Sequence, residues 1–342
     1  MKNREELLQG FLTKSNWENA NRHPLASDAS GRTYERLYLN SKNAILMNAP
    51  YSAGEDVRLF LDVTNMLKEL NLSAPIIYNE DIKNGFLLIE DLGDDLFALL
   101  CKKAPEIDHE IYGSAVDLLL HIHKNPAPKS LLKYDMNIYL KESKLLTEWY
   151  LPAAVSAPLS KSLIDEFHTI LHETFSKIPS YNPVLVMRDY HAENLIWLPK
   201  RSAIKRVGLL DYQDALAGHP AYDLVSLLED ARRDTSSDLQ KNMLNRYISK
   251  TELDAEEFVT AYNLLGAQRN IKIIGIFSRL SLRDKKSSYV NLIPRVWDHL
   301  MNNLNHKACS HLKQWISQNV PYPNHTVRQK LVNKLKCHRT SK

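Results

Sequence analysis

The chain has 342 residues, 44% hydrophobic and 25% charged, with a formal net charge of +4. This is the composition of a soluble globular protein with room for a sizeable core, as one large domain or two ordinary ones. So thin a charge gives no argument for a nucleic-acid partner. Three scattered cysteines, Cys101, Cys309 and Cys337, argue against a disulfide framework or zinc site and for a reducing compartment.

The N-terminal MKNREELLQGFLTK has no apolar signal-peptide core, and no run approaches the length of a membrane span. The expectation is a cytoplasmic protein with no membrane partner. Residues 3–13 read as a short helix. LASDASGRTYERLYLN reads as a strand, a tight loop at Asp28–Arg32 and a second strand to about Leu39. A hairpin turn and a third strand at Ala44–Met47 follow. Val57, Leu59, Phe60, Val63, Met66, Leu67 and Leu70 recur at helical spacing. PIIYNE and GFLLIED add two strands. Beyond Asp94, segments 95–103, 109–124, 135–150 and 159–177 read as helices, PVLVM, LIWL and VGLLD as short strands, and the chain from 219 onward as helical. The basic run VRQKLVNKLKCHRTSK reads as a solvated helix end and tail. The expected organisation is α+β: a small β-rich lobe over 1–92, a larger mainly helical lobe over 93–342, and a ligand cleft between them.

The stretch VMRDYHAENLIWLP places Asp189, His191, Glu193 and Asn194 between two apolar strands, a set that a surface turn does not require. The turn PKRS and the strand RVGLL then lead to Asp211. Asn194 and Asp211 offer two hard oxygens of the kind Mg²⁺ takes beside water and phosphate. Asp189, five residues before Asn194, is placed to orient a substrate hydroxyl and accept its proton. Alone, Asp189 and Asn194 would read as turn caps. With Asp211 closing an apolar strand, they read as the centre of an ATP- and Mg²⁺-dependent phosphoryl transfer.

Asp189, four intervening residues, Asn194 and then a strand-end Asp211 resemble the kinase catalytic-loop and metal-loop pattern. With HAENL and GHPAYDL, the chain is similar to the aminoglycoside phosphotransferase and choline kinase branch of that fold. SDASGRTYERL, LLIEDLGDD, VGLLDYQDALAGHPAYDLVSLLEDARRD, GAQRNIKIIGIFSRL and IPRVW extend the resemblance over about residues 20–318, toward the bacterial anomeric sugar kinases of cell-wall recycling. These enzymes phosphorylate N-acetylmuramate or N-acetylglucosamine.

The resemblance implies a two-lobed protein-kinase-like fold with Asp189 as catalytic base and Asn194 and Asp211 as magnesium ligands. It also implies a hinge at Glu90–Leu92 whose backbone meets adenine, and a loop at Asp28–Arg32, with Ser30, Gly31 and Arg32, over the phosphates. The family brace of the catalytic loop falls on Asp223, which also reads as the N-cap of DLVSLLEDARRD. Two kinase parts are missing. Met187 stands where many kinases carry histidine, and the third strand, AILMNAP, has no phosphate-binding lysine. Arg32 and Arg36 are the candidate replacements, since arginine reaches phosphate bidentately.

For the acceptor, His191 and Glu193 either line the substrate pocket or fix the loop. Arg269 either binds the carboxylate of N-acetylmuramate or pairs with Glu229 and Asp230. Glu142 and Trp149 either form a hydroxyl acceptor and stacking wall for sugar or belong to the core. His121 and His123 lie two apart and read as structural. The expected partner is a small amino sugar, bound by a monomer. The rivals are the same fold with an aminoglycoside or choline acceptor, a nucleotide-binding pseudokinase, and a metal-dependent hydrolase.

Overall fold

The computed structural model describes residues 3–25 and 31–333. Its strands are β1 (Asn21–Pro24), β2 (Thr33–Leu39), β3 (Lys42–Asn48), β4 (Ile77–Asp81), β5 (Phe86–Ile89), β6 (Val184–Val186), β7 (Leu195–Trp197), β8 (Val207–Leu209) and β9 (Leu216–Gly218). Helices α1 (Arg4–Lys14), α2 (Val57–Glu69), α3 (Phe97–Lys103), α4 (Asp108–Ile122), α5 (Met136–Ser143), α6 (Leu151–Val155) and α7 (Lys161–Phe175) precede β6. After β9 come α8 (Ala221–Leu228), α9 (Ser237–Ser249), α10 (Ala255–Leu282), α11 (Ile293–Asn303), α12 (Ser310–Asn319) and α13 (His325–Asn333). The chain packs as two compact units. One runs through Leu118 and takes in Ala192–Ala215; the other takes Leu119–His191 and the chain from Leu216 onward. The expected lobe boundary at residue 92 falls inside the first unit.

In the first unit five antiparallel strands stand in the order β1-β2-β3-β5-β4. Side chains alternate across a strand, so one strand serves two faces. Ala44 and Leu46 of β3, with Phe86 and Leu88 of β5, pack on Leu8, Phe11 and Leu12 of α1. The alternate residues Ile45, Met47 and Ile89 line a cavity. That is why AILM and FLLI are apolar throughout rather than alternating. Helix α1 opens with a capping box in which Asn3 accepts from the Glu6 N–H at 2.8 Å and its own N–H donates to the Glu6 carboxylate at 3.1 Å. The hairpin β7–β8 pairs Leu195 with Leu209 and joins this unit by bridges from Gly208 to Ser73 and from Ile196 to Leu96.

In the second unit β6 pairs with β9, Val184 opposite Gly218. Strand β9 lies just before the segment expected to be helical, and its residues, Leu-Ala-Gly, include no β-branched or aromatic one to mark a strand. The stretch expected as one helix over 135–150 is α5 followed by a π-helical segment, Leu146–Tyr150. Just before that widened turn Leu145 meets α10. A Cβ on Gly275 would lie 2.4 Å from the Leu145 Cβ, so only glycine permits the contact. The 28 residues of α10 are buried over most of their length, which makes every polar residue on it informative. Among the described residues no helix is long and apolar enough to cross a membrane, and Cys101 and Cys309 are buried free thiols.

Candidate active site

The first unit holds a cavity of about 460 Å³. Its apolar walls include Ile45, Met47, Ile89, Leu92, Ile196 and Leu210, and Glu90, Asn194 and Asp211 stand on its margin. A slot with greasy walls and a few polar groups at its edge suits a flat heteroaromatic ring. At the expected hinge, the Glu90 N–H donates to the Ile76 carbonyl at 2.8 Å and its carboxylate pairs with Arg201 at 2.5 Å.

Asp211 follows β8 in the left-handed region, with φ +54°. The next residue explains how this is held. Tyr212 is buried, stacks on Phe60 of α2 at 5.1 Å and shares a 2.8 Å hydrogen bond with the Thr64 hydroxyl. Aspartate tolerates left-handed backbone better than most residues. The side chain of Asp211 is 46% exposed. Its Oδ1 accepts from Gln213 Nε2 at 2.9 Å and faces Arg32 Nη2 at 3.5 Å. Buried Arg32 also pairs with Glu55 at 3.1 Å, and Glu55 accepts the Gly31 N–H at 2.9 Å. Burial opposes the charge of Arg32, but Tyr34, Asp211, Glu55 and Asp214 outweigh it and raise its pKa. Asn194 lines the same cavity as Asp211, and its carbonyl accepts the Leu210 N–H at 3.0 Å. Two adjacent oxygen donors fit a hard cation that takes the rest of its shell from phosphate and water. No cluster of three His, Cys, Asp or Glu side chains fit for a metal occurs among the described residues.

In the second unit Asp189 follows β6 on a firmly held loop. Buried Asp223 on α8 accepts the N–H of Met187 at 2.7 Å and of Arg188 at 2.8 Å. Burial pushes the Asp223 carboxyl up to about 7, and those two N–H groups pull against that rise. The Ser226 hydroxyl donates to the Arg188 carbonyl at 3.1 Å. Arg188 itself is left-handed, φ +70°, and its guanidinium forms an ion pair with Glu142. Burial would raise the Asp189 pKa, but Lys272, His191, Arg188 and Arg269 outweigh it and hold Asp189 below the usual carboxylate range. Asp189 is therefore ionised and able to take a proton. Burial holds His191 below the usual histidine range, so its imidazole is neutral near pH 7 and gains the charge that acts on Asp189 only in acid.

A family model described as phosphotransferase enzyme family matches residues 22–259. The chain belongs to that family. An N-acetylmuramate/N-acetylglucosamine kinase of Caulobacter vibrioides is 35% identical over 93% of this chain and 97% of its own length. A Pseudomonas aeruginosa protein of the same description is 32% identical over 81% of this chain and 82% of its own. A choline kinase from Streptococcus pneumoniae matches in structure with a TM-score of 0.61 at 14% identity, covering 87% of this chain and 99% of that one. An ADP-bound aminoglycoside phosphotransferase gives 0.60 at 16% identity, covering 90% and 98%. At such identities the two structures speak for the fold alone, and it is the kinase-like α+β fold expected from the sequence. The phosphotransferase is a kinase, and a nucleotide is its phosphoryl donor.

Several residues of this phosphotransferase sit differently from expectation. Lys42 opens β3 rather than preceding it, and is exposed. Arg36 lines the same cavity, but its guanidinium is held by Asp91 at 2.7 Å and Asp94 at 2.8 Å, so it braces the segment that follows β5. Arg32 is the cation beside Asp211. Gly31 has a packing reason to be glycine, because a Cβ there would lie 2.7 Å from the Ala53 Cβ. Ser30 and the rest of 26–30 lie outside the described residues, as does Cys337. Glu193 is exposed and lines the cavity of the first unit. Arg269 is 4% exposed and donates inward, to Ser226 Oγ at 2.9 Å and the Glu229 carbonyl at 3.3 Å. That braces α8 rather than offering a free cation to a carboxylate. Trp149 is half-buried in the π-helical segment, and Glu142 is engaged by Tyr134, Gln268, Arg188 and Lys272. Glu55, Asp91 and Lys272 escaped the sequence reading. Lys272 carried the same signal as Arg269, a charge on an apolar helix.

Proposed function

We propose that this phosphotransferase moves the γ-phosphoryl group of ATP to the anomeric hydroxyl of N-acetylmuramate or N-acetylglucosamine, as a cytoplasmic monomer serving peptidoglycan recycling. The observation that carries this reading is the 35% identity to an N-acetylmuramate/N-acetylglucosamine kinase along 93% of the chain, and the sequence pattern of Asp189, Asn194 and the strand-end Asp211 supports it. Adenine occupies the cavity between Ile45, Ile89 and Leu210. Its polar edge meets the backbone of Glu90 and Leu92; the Glu90 N–H is engaged by Ile76, so the Glu90 carbonyl and the Leu92 N–H serve this contact. Asn194 and Asp211 hold Mg²⁺, which neutralises phosphate charge when bound.

Asp189 accepts the proton of the acceptor hydroxyl. The hydroxyl oxygen forms the new bond to phosphorus, the bond to the β-phosphate oxygen breaks, and ADP leaves. An anomeric hydroxyl is more acidic than an ordinary alcohol, so orientation by Asp189 counts for more than its basicity. His191, neutral and buried beside Asp189, serves the acceptor side of the loop.

The test is ADP release with Mg-ATP across N-acetylmuramate, N-acetylglucosamine, glucose, choline and kanamycin, with Asp189→Ala as control. Turnover with an N-acetylated sugar giving an acid-labile phosphate is the expected result. Turnover confined to choline or kanamycin would move the acceptor assignment, and silence with ATP still bound would favour a pseudokinase. Arg32 takes the place of the missing strand lysine. Arg32→Ala should raise KM for ATP by about tenfold to a hundredfold, since a hydrogen bond to a charged group contributes about 1.5–3 kcal/mol. An unchanged KM would remove Arg32 from the phosphate site.

A further inference from the structure

Glu142 is half-buried, its side chain 13% exposed, with a full set of partners. Its Oε1 takes Arg188 and the Lys272 ammonium, the latter at 3.2 Å. Its Oε2 takes the Tyr134 hydroxyl at 2.6 Å and Gln268 Nε2 at 3.2 Å. A carboxylate has about four lone-pair sites, so these donors leave none for a sugar hydroxyl. Glu142 is thus no acceptor ligand, despite its place near the catalytic loop.

What Glu142 grips is Arg188, and Arg188 directly precedes Asp189. The backbone of Arg188 is pinned at both ends, its N–H by Asp223 and its carbonyl by Ser226. Left-handed backbone at a residue with a side chain costs roughly 1–2 kcal/mol, so this peptide needs such anchors. The side chain is the third anchor, and it ends on Glu142. Lys272, 8% exposed on α10, grips the same carboxylate oxygen and reaches the Tyr222 hydroxyl at 3.3 Å. Gln268, one turn earlier on α10, holds the other oxygen. A rigid helix of 28 residues therefore fixes Glu142 from one side while Arg188 fixes it from the other.

We propose that Glu142 and Lys272 are a positioning pair for phosphoryl transfer, which together clamp Arg188 and so aim Asp189. The pair rests on Asp189 being the base in the proposed function. It explains why a buried lysine stands on an apolar helix, and why one carboxylate carries two cations: one belongs to the loop and the other to the scaffold.

The test compares Lys272→Met, Lys272→Arg and Glu142→Gln on the acceptor that the unaltered enzyme uses best. Lys272→Met keeps the Glu142 and Arg188 charges balanced and should fold. Its kcat should fall by about tenfold to a hundredfold, the scale of a small misplacement at a reacting group. KM for ATP should stay within about twofold, because the nucleotide cavity is lined by first-unit residues only. Lys272→Arg should restore most of kcat. A second measurement needs no acceptor: hydrogen exchange of the Met187 and Arg188 amides should quicken by at least about tenfold in Lys272→Met and Glu142→Gln. An unchanged kcat with unchanged exchange would overturn the pair, as would parallel loss of ATP affinity or failure of arginine to rescue. If the unaltered enzyme turns over no acceptor, the proposed function fails, and the exchange experiment still decides the clamp.

Discussion

Asp189→Asn should lower kcat by about a hundredfold to ten-thousandfold, the range of a lost general base. Asparagine keeps the shape of aspartate, and the groups that hold the loop are elsewhere: Asp223 on the N–H groups of Met187 and Arg188, and Ser226 on the Arg188 carbonyl. The loop should therefore stay in place while the proton acceptor is lost, and KM for ATP should be unchanged. An anomeric acceptor places the loss toward the lower end of that range. The pH profile of the unaltered enzyme carries the complementary sign. Lys272, His191, Arg188 and Arg269 outweigh burial and hold the Asp189 carboxylate below its ordinary range. As pH falls, kcat/KM should then hold through the ordinary carboxylate range and drop only below it, as Asp189 becomes protonated. His191 is held neutral by burial and should add no inflection where free histidines titrate. Full activity in Asp189→Asn, or an acid limb above the ordinary carboxylate range, would contradict Asp189 as the ionised base.

How much of this was legible in the sequence depended on the range of each interaction. Period and turn signals are local. They placed α1, α2 and the strands from β2 to β5 because each is long enough to repeat its pattern. The hard-oxygen set Asp189, Asn194 and Asp211 was legible for a similar reason: the three lie on one short strand-loop-strand passage. Strand β9 is Leu216-Ala217-Gly218, with none of the β-branched or aromatic residues that marked the equally short β6, β7 and β8. The π-helical segment after α5 packs on α10, more than a hundred residues away in the chain, and no local pattern announces it. Partnerships were least legible. Arg36 on β2 could serve phosphate until the fold sets Asp91 and Asp94 against it. Glu142 could accept a sugar hydroxyl until Tyr134, Arg188, Gln268 and Lys272 fill its lone pairs. Residue type shows what a group can do, but tertiary packing decides which partner claims it.

Asp211→Asn separates metal binding from folding. Asparagine fits the left-handed backbone at this position nearly as well as aspartate, and the side chain is 46% exposed, with Gln213 Nε2 at 2.9 Å and Arg32 Nη2 at 3.5 Å from Oδ1. Its removal should leave stability within about 0.5 kcal/mol, as for surface changes that break no buried network. Activity should respond very differently. An amide oxygen keeps a ligand in place but removes a full negative charge from the cation, and Mg²⁺ is bound by few protein groups, so each counts heavily. The Mg²⁺ concentration for half-maximal rate should rise by at least about tenfold, and kcat at saturating metal should fall by about a thousandfold. With its carboxylate partner gone, Arg32 keeps Glu55, so KM for ATP measured at saturating metal should change far less than in Arg32→Ala. A thermal melt, a Mg²⁺ titration of rate and KM for ATP, taken on the same preparation, read these effects apart. An unchanged Mg²⁺ requirement with lost activity would take Asp211 out of the metal shell and make it a partner of Arg32 instead.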